Sequence, residues 1–263
     1  MAAPSSTPGP SNTPAASSDA RTGTVIVVAP TGAHAKADVA QLPVSSAEVA
    51  GAAADCERVG ASVIDLEPRH DVSLPDVVAA VRARTGLIVR IAAHARSETP
   101  ETLLDSGADV LICPLNAPED FVATLREGAR LRGVAVHYEA SEIGQLATLR
   151  HLHGDAPVHA VLVFGGSKGM PGDVGTLAAA LAELPEGATF STVGVESASL
   201  PVLLATIAAG GHIRVGMADT LAYSEGAEVR DNTQLVARAT GVAKIAQRPP
   251  LPPTQAREAL GLT

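Results

Sequence analysis

The chain has 263 residues, of which 46% are hydrophobic and 2% aromatic, and it carries a formal net charge of −9. This length suits one large domain or two small ones. An acidic chain without a block of Lys or Arg excludes a partner bound through its phosphate backbone, so we expect no nucleic-acid binding. The two cysteines lie far apart and match no zinc or redox spacing, which indicates a reduced, cytoplasmic protein.

The first segment, residues 1–22, consists mainly of Ala, Pro, Ser and Thr. Because such a segment buries too little apolar surface to offset chain entropy, we expect a disordered tail. The tail lacks the apolar core of a signal peptide, and no run in the chain approaches the ~18 apolar residues that cross a membrane. We therefore expect neither a targeting segment nor membrane insertion.

From residue 24 onward, short β-branched runs alternate with Ala/Leu-rich stretches of helical spacing. Helix boundaries are marked as well, for example by Ser45 and Glu48, which resemble a capping box, and by Gly60, where that helix should end. This alternation predicts right-handed βαβ units, and eight of them favour a closed (β/α)₈ TIM barrel over an open doubly wound sheet. We therefore predict an α/β barrel that forms one domain over residues 23–263. The predicted strands are residues 24–29, 62–66, 87–92, 109–113, 134–138, 159–164, 189–193 and 212–217.

Chemistry in such a barrel lies at the carboxyl ends of the strands. The second strand ends in Asp65, Glu67 and Arg69, and a side-chain period of two directs these groups into the barrel mouth. Charges that converge in this way are costly unless they bind a ligand or one another. An internal ion-pair network is therefore the alternative to a binding site.

The eighth strand carries Arg214 within an apolar run and Asp219 at its carboxyl end. A guanidinium in that position suits a substrate carboxylate held by two hydrogen bonds, and a structural pair of Arg214 with Asp219 is the alternative. His94 after the third strand, and His137 with Glu139 at the end of the fifth, are weak signals singly. Four strand ends that carry Asp, Glu, Arg and His together nevertheless indicate a site.

A glycine-rich loop follows the sixth strand and begins with Gly165 and Gly166. Its backbone N–H groups could hold a phosphate or a carboxylate. The loop also contains Gly-x-Ser-x-Gly, ending at Gly169, but a nucleophile elbow requires a helix to begin at once, and residues 170–173 intervene. The loop is therefore predicted to bind an anion and not to present a catalytic serine.

Several longer segments occur in one order along the chain, among them Leu-Pro-Val-Ser-Ser-Ala-Glu-Val-Ala at 42–50 and Gly-Gly-His-Ile-Arg-Val-Gly at 210–216. In these segments the chain resembles the β-keto acid cleavage enzymes, which include the 3-keto-5-aminohexanoate cleavage enzymes. The resemblance implies a zinc-dependent (β/α)₈ barrel, usually oligomeric, that transfers the acyl part of a β-keto acid to coenzyme A in exchange for the acetyl group of acetyl-CoA. The expected partners are accordingly a small organic acid, an acyl-CoA and further copies of the chain. The other similar segments are residues 29–33, 165–171, 184–188 and 256–262.

The resemblance also implies a zinc site, and here the chain departs from the family. The family binds zinc through His-x-His-x-Arg at the end of the second strand and through a Glu directly before an Asp at the end of the eighth. In this chain Asp65 and Glu67 stand at the two histidine positions, while Arg69 is kept. Ala218 stands at the glutamate position, directly before Asp219. We therefore expect no tightly bound zinc.

Two outcomes for the metal stay open. Carboxylate oxygens favour Mg²⁺, Mn²⁺ or Ca²⁺, so Asp65 and Glu67 could hold such an ion with His94 or His137 as a third ligand. Alternatively, the site has lost its metal and surrounds an organic acid with charged side chains, Arg214 among them.

Three functional hypotheses follow. The first is a cleavage enzyme of the family, with Arg214 and Asp219 as its catalytic residues. The second is a different keto-acid or hydroxy-acid lyase on the same barrel, and the third is a catalytically silent relative that binds a carboxylate. The retained Arg214 and Asp219 favour the first two, and the loss of the zinc ligands favours the third. The groups expected around the bound acid are Arg69, His94, Gly165 and Gly166.

Overall fold

The computed structural model describes residues 23–93, 98–153 and 158–262, and it forms a closed barrel of eight parallel strands in the order β1 to β8. Each strand pairs with its neighbours in sequence, and β1 also pairs with β8, where Val27 lies opposite Arg214. The predicted (β/α)₈ TIM barrel is confirmed. The strands are β1 (Ile26–Val28), β2 (Val63–Leu66), β3 (Ile88–Ala92), β4 (Val110–Pro114), β5 (Ala135–Ala140), β6 (His159–Gly165), β7 (Thr189–Val195) and β8 (His212–Val215).

Helices surround the barrel and begin at the residues that their capping signals predict. In the first helix, the Ser45 hydroxyl accepts a hydrogen bond from the Glu48 N–H at 3.3 Å, and the Ser45 N–H donates to the Glu48 carboxylate at 3.0 Å. The predicted capping box is thus formed, and such caps stabilise a helix by about 1 kcal/mol. The helices are α1 (Ser46–Arg58), α2 (Leu74–Arg82), α3 (Pro100–Leu104), α4 (Glu119–Arg132), α5 (Leu146–His153), α6 (Val174–Glu183), α7 (Ser199–Ala208), α8 (Asn232–Ile245) and α9 (Pro253–Ala259). A short hairpin, β9 (Ala222–Ser224) and β10 (Ala227–Glu228), lies between β8 and α8.

The eight predicted strands are all present, with ends that differ by a few residues. The fifth continues to Ala140, and the eighth stops at Val215 because the chain then turns, with the Asp219 N–H donating to the Gly216 carbonyl. A Cβ atom at Gly216 would lie 1.9 Å from the Ala29 carbonyl oxygen. Only glycine therefore allows β8 to lie this close to the end of β1.

The inside of the barrel is partly apolar and partly charged. Apolar side chains fill the amino-terminal end on the side of β1 to β4, where α9 and the segment before it pack against the strands, and a second apolar group lies among β3, β4, β6 and β7. Charged and imidazole side chains occupy the rest, and their burial requires partners inside the protein. The buried charged and imidazole residues of the strands are Asp65, Arg90, His137, His159, His212 and Arg214.

Three further expectations concern the chain as a whole. Cys56 and Cys113 are buried and free, and burial raises the pKa of each thiol to about 12, as suits small core residues. In the part of the chain that the structure describes, no helix is both long and apolar enough to cross a bilayer. The tail predicted for residues 1–22 lies outside the described residues.

Candidate functional site

The centre of the site is a buried ion pair between neighbouring strands. Asp65 of β2 and Arg90 of β3 are register partners, so both side chains point into the barrel. The Arg90 Nε and Nη2 atoms donate to the two carboxylate oxygens of Asp65 at 2.5 and 2.7 Å, and both side chains are fully buried. Burying either charge alone would cost several kcal/mol, so each group depends on the other.

Arg214 extends this pair into a network of three carboxylates. Its Nη1 atom donates to Asp65 at 3.3 Å, and its Nε and Nη2 atoms donate to the two oxygens of Asp219 at 3.2 and 2.8 Å. Nη2 also lies 3.4 Å from the carboxylate of Glu67, a side chain that is 23% exposed. Burial opposes the charged form of Arg214, but the three carboxylates outweigh it and hold the pKa of Arg214 well above its usual value.

Asp219 belongs both to this network and to the lining of an open cavity. It follows the turn after β8, and its carbonyl accepts a hydrogen bond from the Glu196 N–H at 2.8 Å, which ties the end of β8 to the end of β7. Burial raises the pKa of the Asp219 carboxyl above its usual value, although Arg214 opposes the shift. A carboxylate with a raised pKa at the end of a barrel strand is suited to accept a proton.

An open cavity of about 990 Å³ lies beside Asp219, among the carboxyl ends of β7 and β8, the start of α7 and the β9–β10 hairpin. Arg238 lines it, with its guanidinium 4.8 Å from the centre of the Tyr223 ring and donating to the Tyr223 carbonyl. The Arg238 Nε atom is buried, and within the described residues no group accepts its hydrogen bond. The apolar part of the lining includes Val195, Leu200, Pro201, Ala218, Leu221 and Ala222.

Arg69, which was predicted to bind substrate, is engaged elsewhere. Its Nη1 atom donates to the carbonyls of Gly32 and His34 at 2.9 and 3.1 Å, and its Nε and Nη2 atoms bind both oxygens of Asp71. These contacts hold the loop after β1 against the end of β2. A substrate-binding role for Arg69 stays a prediction that would require some of these contacts to break.

The glycine-rich loop after β6 is a tight turn. Gly165 and Gly166 have φ angles of 78° and 60°, and a Cβ atom at Gly165 would lie 2.5 Å from the Val195 carbonyl oxygen. The Gly165 N–H donates to the Met170 carbonyl at 2.8 Å, so it is not free to bind an anion. The structure thus explains both glycines by close packing, and their contact with substrate stays a prediction.

The two histidines proposed near the site have different outcomes. His94 lies outside the described residues. His137 does not end its strand as predicted, because β5 continues to Ala140 and places His137 in its middle. There the His137 Nδ1 atom lies 3.4 Å from Arg90 Nη1, on the inner side of the charged network.

The residues present do not fit a divalent ion at Asp65 and Glu67. The Asp65 carboxylate is bound by two guanidinium groups, and Arg90 contacts both Asp65 and His137, so an ion held by those two residues would have to displace Arg90. Within residues 23–93, 98–153 and 158–262, no group of three or more His, Cys, Asp or Glu side chains is arranged to hold a metal. The function proposed below therefore includes no metal-dependent step.

Sequence reasoning missed two arginines. Arg90 interrupts an apolar strand, as Arg214 does, and this shared feature could have revealed it. Its pairing with Asp65 could not be predicted without the register of β2 and β3. Arg238 lies in α8 and carried no sequence signal, because an arginine on a helix is usually solvated.

A parallel barrel with a charged network at the carboxyl ends of β2 and β8 defines the class of protein: a TIM barrel with its candidate site where such barrels carry their chemistry. The chain belongs to the beta-keto acid cleavage enzyme family, whose model matches residues 23–262. The resemblance seen in the sequence is thereby confirmed.

Three relatives of known name share 27–31% of their residues with the chain over the matched segments. The chain is 29% identical over 111 residues to a 3-keto-5-aminohexanoate cleavage enzyme of Acetoanaerobium sticklandii, and 31% identical over 156 residues to a 3-dehydrocarnitine:acetyl-CoA trimethylamine transferase of Rhizobium meliloti. These matches cover 42% and 55% of this chain, and they span only 41% and 52% of the two relatives. A 3-keto-5-aminohexanoate cleavage enzyme of Fusobacterium nucleatum is 27% identical over 255 residues, covering 84% of this chain and 91% of the relative.

Among solved structures, the chain is similar to ObcA without ligand, with a TM-score of 0.68 and 13% identity over 84% of this chain and 66% of ObcA. It is also similar to ObcA bound to oxaloacetate, with a TM-score of 0.64 and 12% identity over 84% of this chain and 67% of that one. At this identity the likeness establishes the barrel fold alone.

Proposed function

We propose that this protein exchanges the acyl group of a β-keto acid for the acetyl group of acetyl-CoA, with cleavage of a carbon–carbon bond. One observation carries the proposal: Asp219, held by Arg214, lines an open cavity at the carboxyl ends of β7 and β8. Membership of the β-keto acid cleavage enzyme family supports the same reaction.

Asp219 is the candidate proton acceptor. The carbon between the ketone and the carboxylate of a β-keto acid carries an acidic proton, whose removal requires a base close to the bound acid. Asp219 lines the cavity, and the raised pKa of its carboxyl makes it a stronger base than an exposed aspartate.

Arg214 is the candidate cation of the site. Loss of the proton leaves an enolate, and its negative charge needs a fixed positive charge nearby. When Asp219 takes the proton, it loses its own charge, and the guanidinium 2.8 Å away is released to offset the enolate. This charge exchange requires no metal.

The cavity beside Asp219 suits the two substrates. Its apolar wall, which includes Leu200 and Leu221, suits the acyl chain of the keto acid and the thioester arm of acetyl-CoA. The buried Arg238 Nε atom offers a hydrogen bond that a carboxylate or phosphate oxygen of a substrate would accept. A homo-oligomer, as the family resemblance implies, is part of the same proposal.

The test is direct detection of acyl exchange. Purified protein is incubated with acetyl-CoA and each of a series of short-chain β-keto acids, and the CoA products are separated and weighed by mass spectrometry. The expected result is a new acyl-CoA whose mass follows the keto acid supplied, together with an equal amount of acetoacetate. Absence of a new acyl-CoA for every acid in the series would overturn the proposal.

A second candidate function has its own supporting observation. Ala218 stands where the family resemblance implies a zinc-binding glutamate, and the charge of Arg214 is already matched by acids, as suits a catalytically silent protein. The two functions are separated by the same incubation when ligand binding is measured in parallel. A keto acid that raises the melting temperature without any acyl exchange supports the silent relative.

A further inference from the structure

A second cavity opens at the opposite end of the barrel, at the amino ends of β5 to β8, and has a volume of about 730 Å³. His137, His159 and His212 line it, together with Arg248 and residues 258–261. None of these groups takes part in the function proposed above, and so many inward-facing imidazoles call for a separate explanation.

Two of the histidines carry their proton on Nε2, and one of these donors has no acceptor among the described residues. The His212 Nδ1 atom accepts from the Val25 N–H at 3.1 Å, so the proton of the neutral ring lies on Nε2. His137 Nδ1 faces Arg90, which can only donate, so its proton also lies on Nε2. His137 is only 2% exposed, and among the described residues no partner accepts from its Nε2 atom.

The third histidine, His159, has a hydrogen-bond partner for each of its two ring nitrogens. The His159 Nδ1 atom lies 2.8 Å from the Thr189 hydroxyl, and its Nε2 atom lies 3.0 Å from the Ser191 hydroxyl. Its ring centre is 4.3 Å from that of His137. The protein thus supplies partners for His159, whereas the described residues supply no acceptor for the neighbouring His137 donor. Because a buried donor without an acceptor is costly, a bound ligand is the expected acceptor.

One guanidinium is fixed at the wall of this cavity. The Arg248 guanidinium is fixed at the wall by hydrogen bonds from Nε to the Thr24 hydroxyl at 3.3 Å and from Nη2 to the Gly23 carbonyl at 2.8 Å. Arg90 lies directly behind His137, and Asp65 balances its charge. The acid in the lining is Glu258, which is exposed to solvent and therefore weakened by screening.

We infer that this cavity binds a small oxyanion, a carboxylate or a phosphate, held by the Nε2–H groups of His137 and His212 and by the charge of Arg248. An oxyanion is the ligand that these groups share, because it accepts several hydrogen bonds and carries the opposite charge. The inference is independent of the acyl exchange, since it concerns the other end of the barrel.

Binding is tested on the full chain with inorganic phosphate and with succinate, each compared with chloride at equal ionic strength. Isothermal titration calorimetry and the melting temperature are both recorded. We expect saturable binding of phosphate, succinate or both, and no saturable effect of chloride. The stronger of the two identifies the ligand class, and no binding of either overturns the inference.

Variants locate the site. Arg248→Met should weaken binding about tenfold or more, because a charge-assisted contact is lost. Arg230→Met, which removes an equal charge from an exposed side chain at the other end of the barrel, should leave affinity unchanged. Equal weakening by the two variants would show a general charge effect and would overturn the site.

A measurement on the wild-type protein guards against misfolding of the variants. Nitrogen NMR of the histidine side chains reports the state of each ring nitrogen. On titration with the bound anion, the Nε2 signals of His137 and His212 should shift, while those of His159 change little. Saturable binding without any shift of the His137 and His212 signals would place the ligand elsewhere and overturn the inference.

Discussion

Arg90 holds the Asp65 carboxylate through two hydrogen bonds inside the barrel, and its Nη1 atom lies 3.4 Å from the His137 ring. The Arg90 guanidinium thereby lies between two groups of polar side chains. On the side of the strands' carboxyl ends lies the carboxylate network of Arg214, and on the other side lie the imidazoles of the second cavity. Asp65, at a position where the family resemblance implies a zinc ligand, is here neutralised by Arg90.

Arg90→Met should strongly destabilise the protein. The substitution removes two of the three hydrogen bonds that guanidinium groups donate to the fully buried Asp65, so we expect a loss of about 3–5 kcal/mol in the free energy of unfolding. Urea denaturation monitored by circular dichroism measures it. The double variant Asp65→Leu, Arg90→Met removes both charges and should recover much of the loss. A single variant within 1 kcal/mol of wild type, a margin typical of an exposed pair, would contradict the assignment.

Arg214→Met should also destabilise the protein, since the residue is only 9% exposed and joins three carboxylates. An open carboxylate-binding group would instead be lost at little cost in stability. Thermal unfolding of the variant and of the exposed Arg230→Met control separates these alternatives. We expect a marked fall in melting temperature for Arg214→Met alone. Equal melting temperatures together with loss of keto acid binding would instead show that Arg214 contacts the substrate directly.

Asp219→Asn should abolish exchange while the fold is kept. The amide matches the carboxylate in shape but cannot accept the proton, so we expect acyl exchange to fall about 10²–10⁴-fold. The rate of acyl-CoA formation measures this, and the near-ultraviolet circular dichroism spectrum checks the fold. A variant that retains activity would remove Asp219 from the mechanism.

Stability should fall as the pH decreases below about 6.5. Burial lowers the pKa of His212 to about 4, and it is also the main cause that lowers the pKa values of His137 and His159 well below the usual value. Because the folded pKa values lie below the unfolded value of 6.5, these rings contribute stability that is complete above pH 6.5. That stability is lost as the pH falls towards the folded values, by about 1.4 kcal/mol per pH unit for each histidine.

The measurement is urea denaturation between pH 6.5 and 5, in a buffer free of phosphate and carboxylates. In His212→Asn the side-chain oxygen can still accept from the Val25 N–H, while one titrating ring is removed. The slope of the free energy of unfolding against pH should therefore decrease by the contribution of one histidine. A wild-type stability independent of pH over this range would contradict neutral buried rings.

Purified protein that has never met a chelator should contain far less than one zinc per chain. The expectation follows from Ala218, which has no ligating atom, and from the two guanidinium groups that occupy Asp65. Elemental analysis by plasma mass spectrometry gives the ratio directly. One zinc per chain would mean that histidines elsewhere have built a replacement site.

The barrel could be predicted from the sequence because its signals are local. The β-branched runs, the capping box at Ser45 and the glycines after the helices depend on residues a few positions apart. The importance of Arg214 and Asp219 could be seen in the same way, from a charge inside an apolar strand. Strand ends were less certain, as β5 showed at His137, because tertiary contacts decide where pairing stops.

The pairing of charged groups from different strands was decided by the tertiary structure alone. Asp65 and Arg90 meet because β2 and β3 pair in one register, and Arg214 reaches Asp65, 149 residues away in the chain, because closure of the barrel brings β8 beside β1. A charged residue within an apolar strand predicts a partner inside the protein, because burial of an unpaired charge is too costly. Which partner it finds depends on strand register and barrel closure, and neither is encoded within a few residues of the charge.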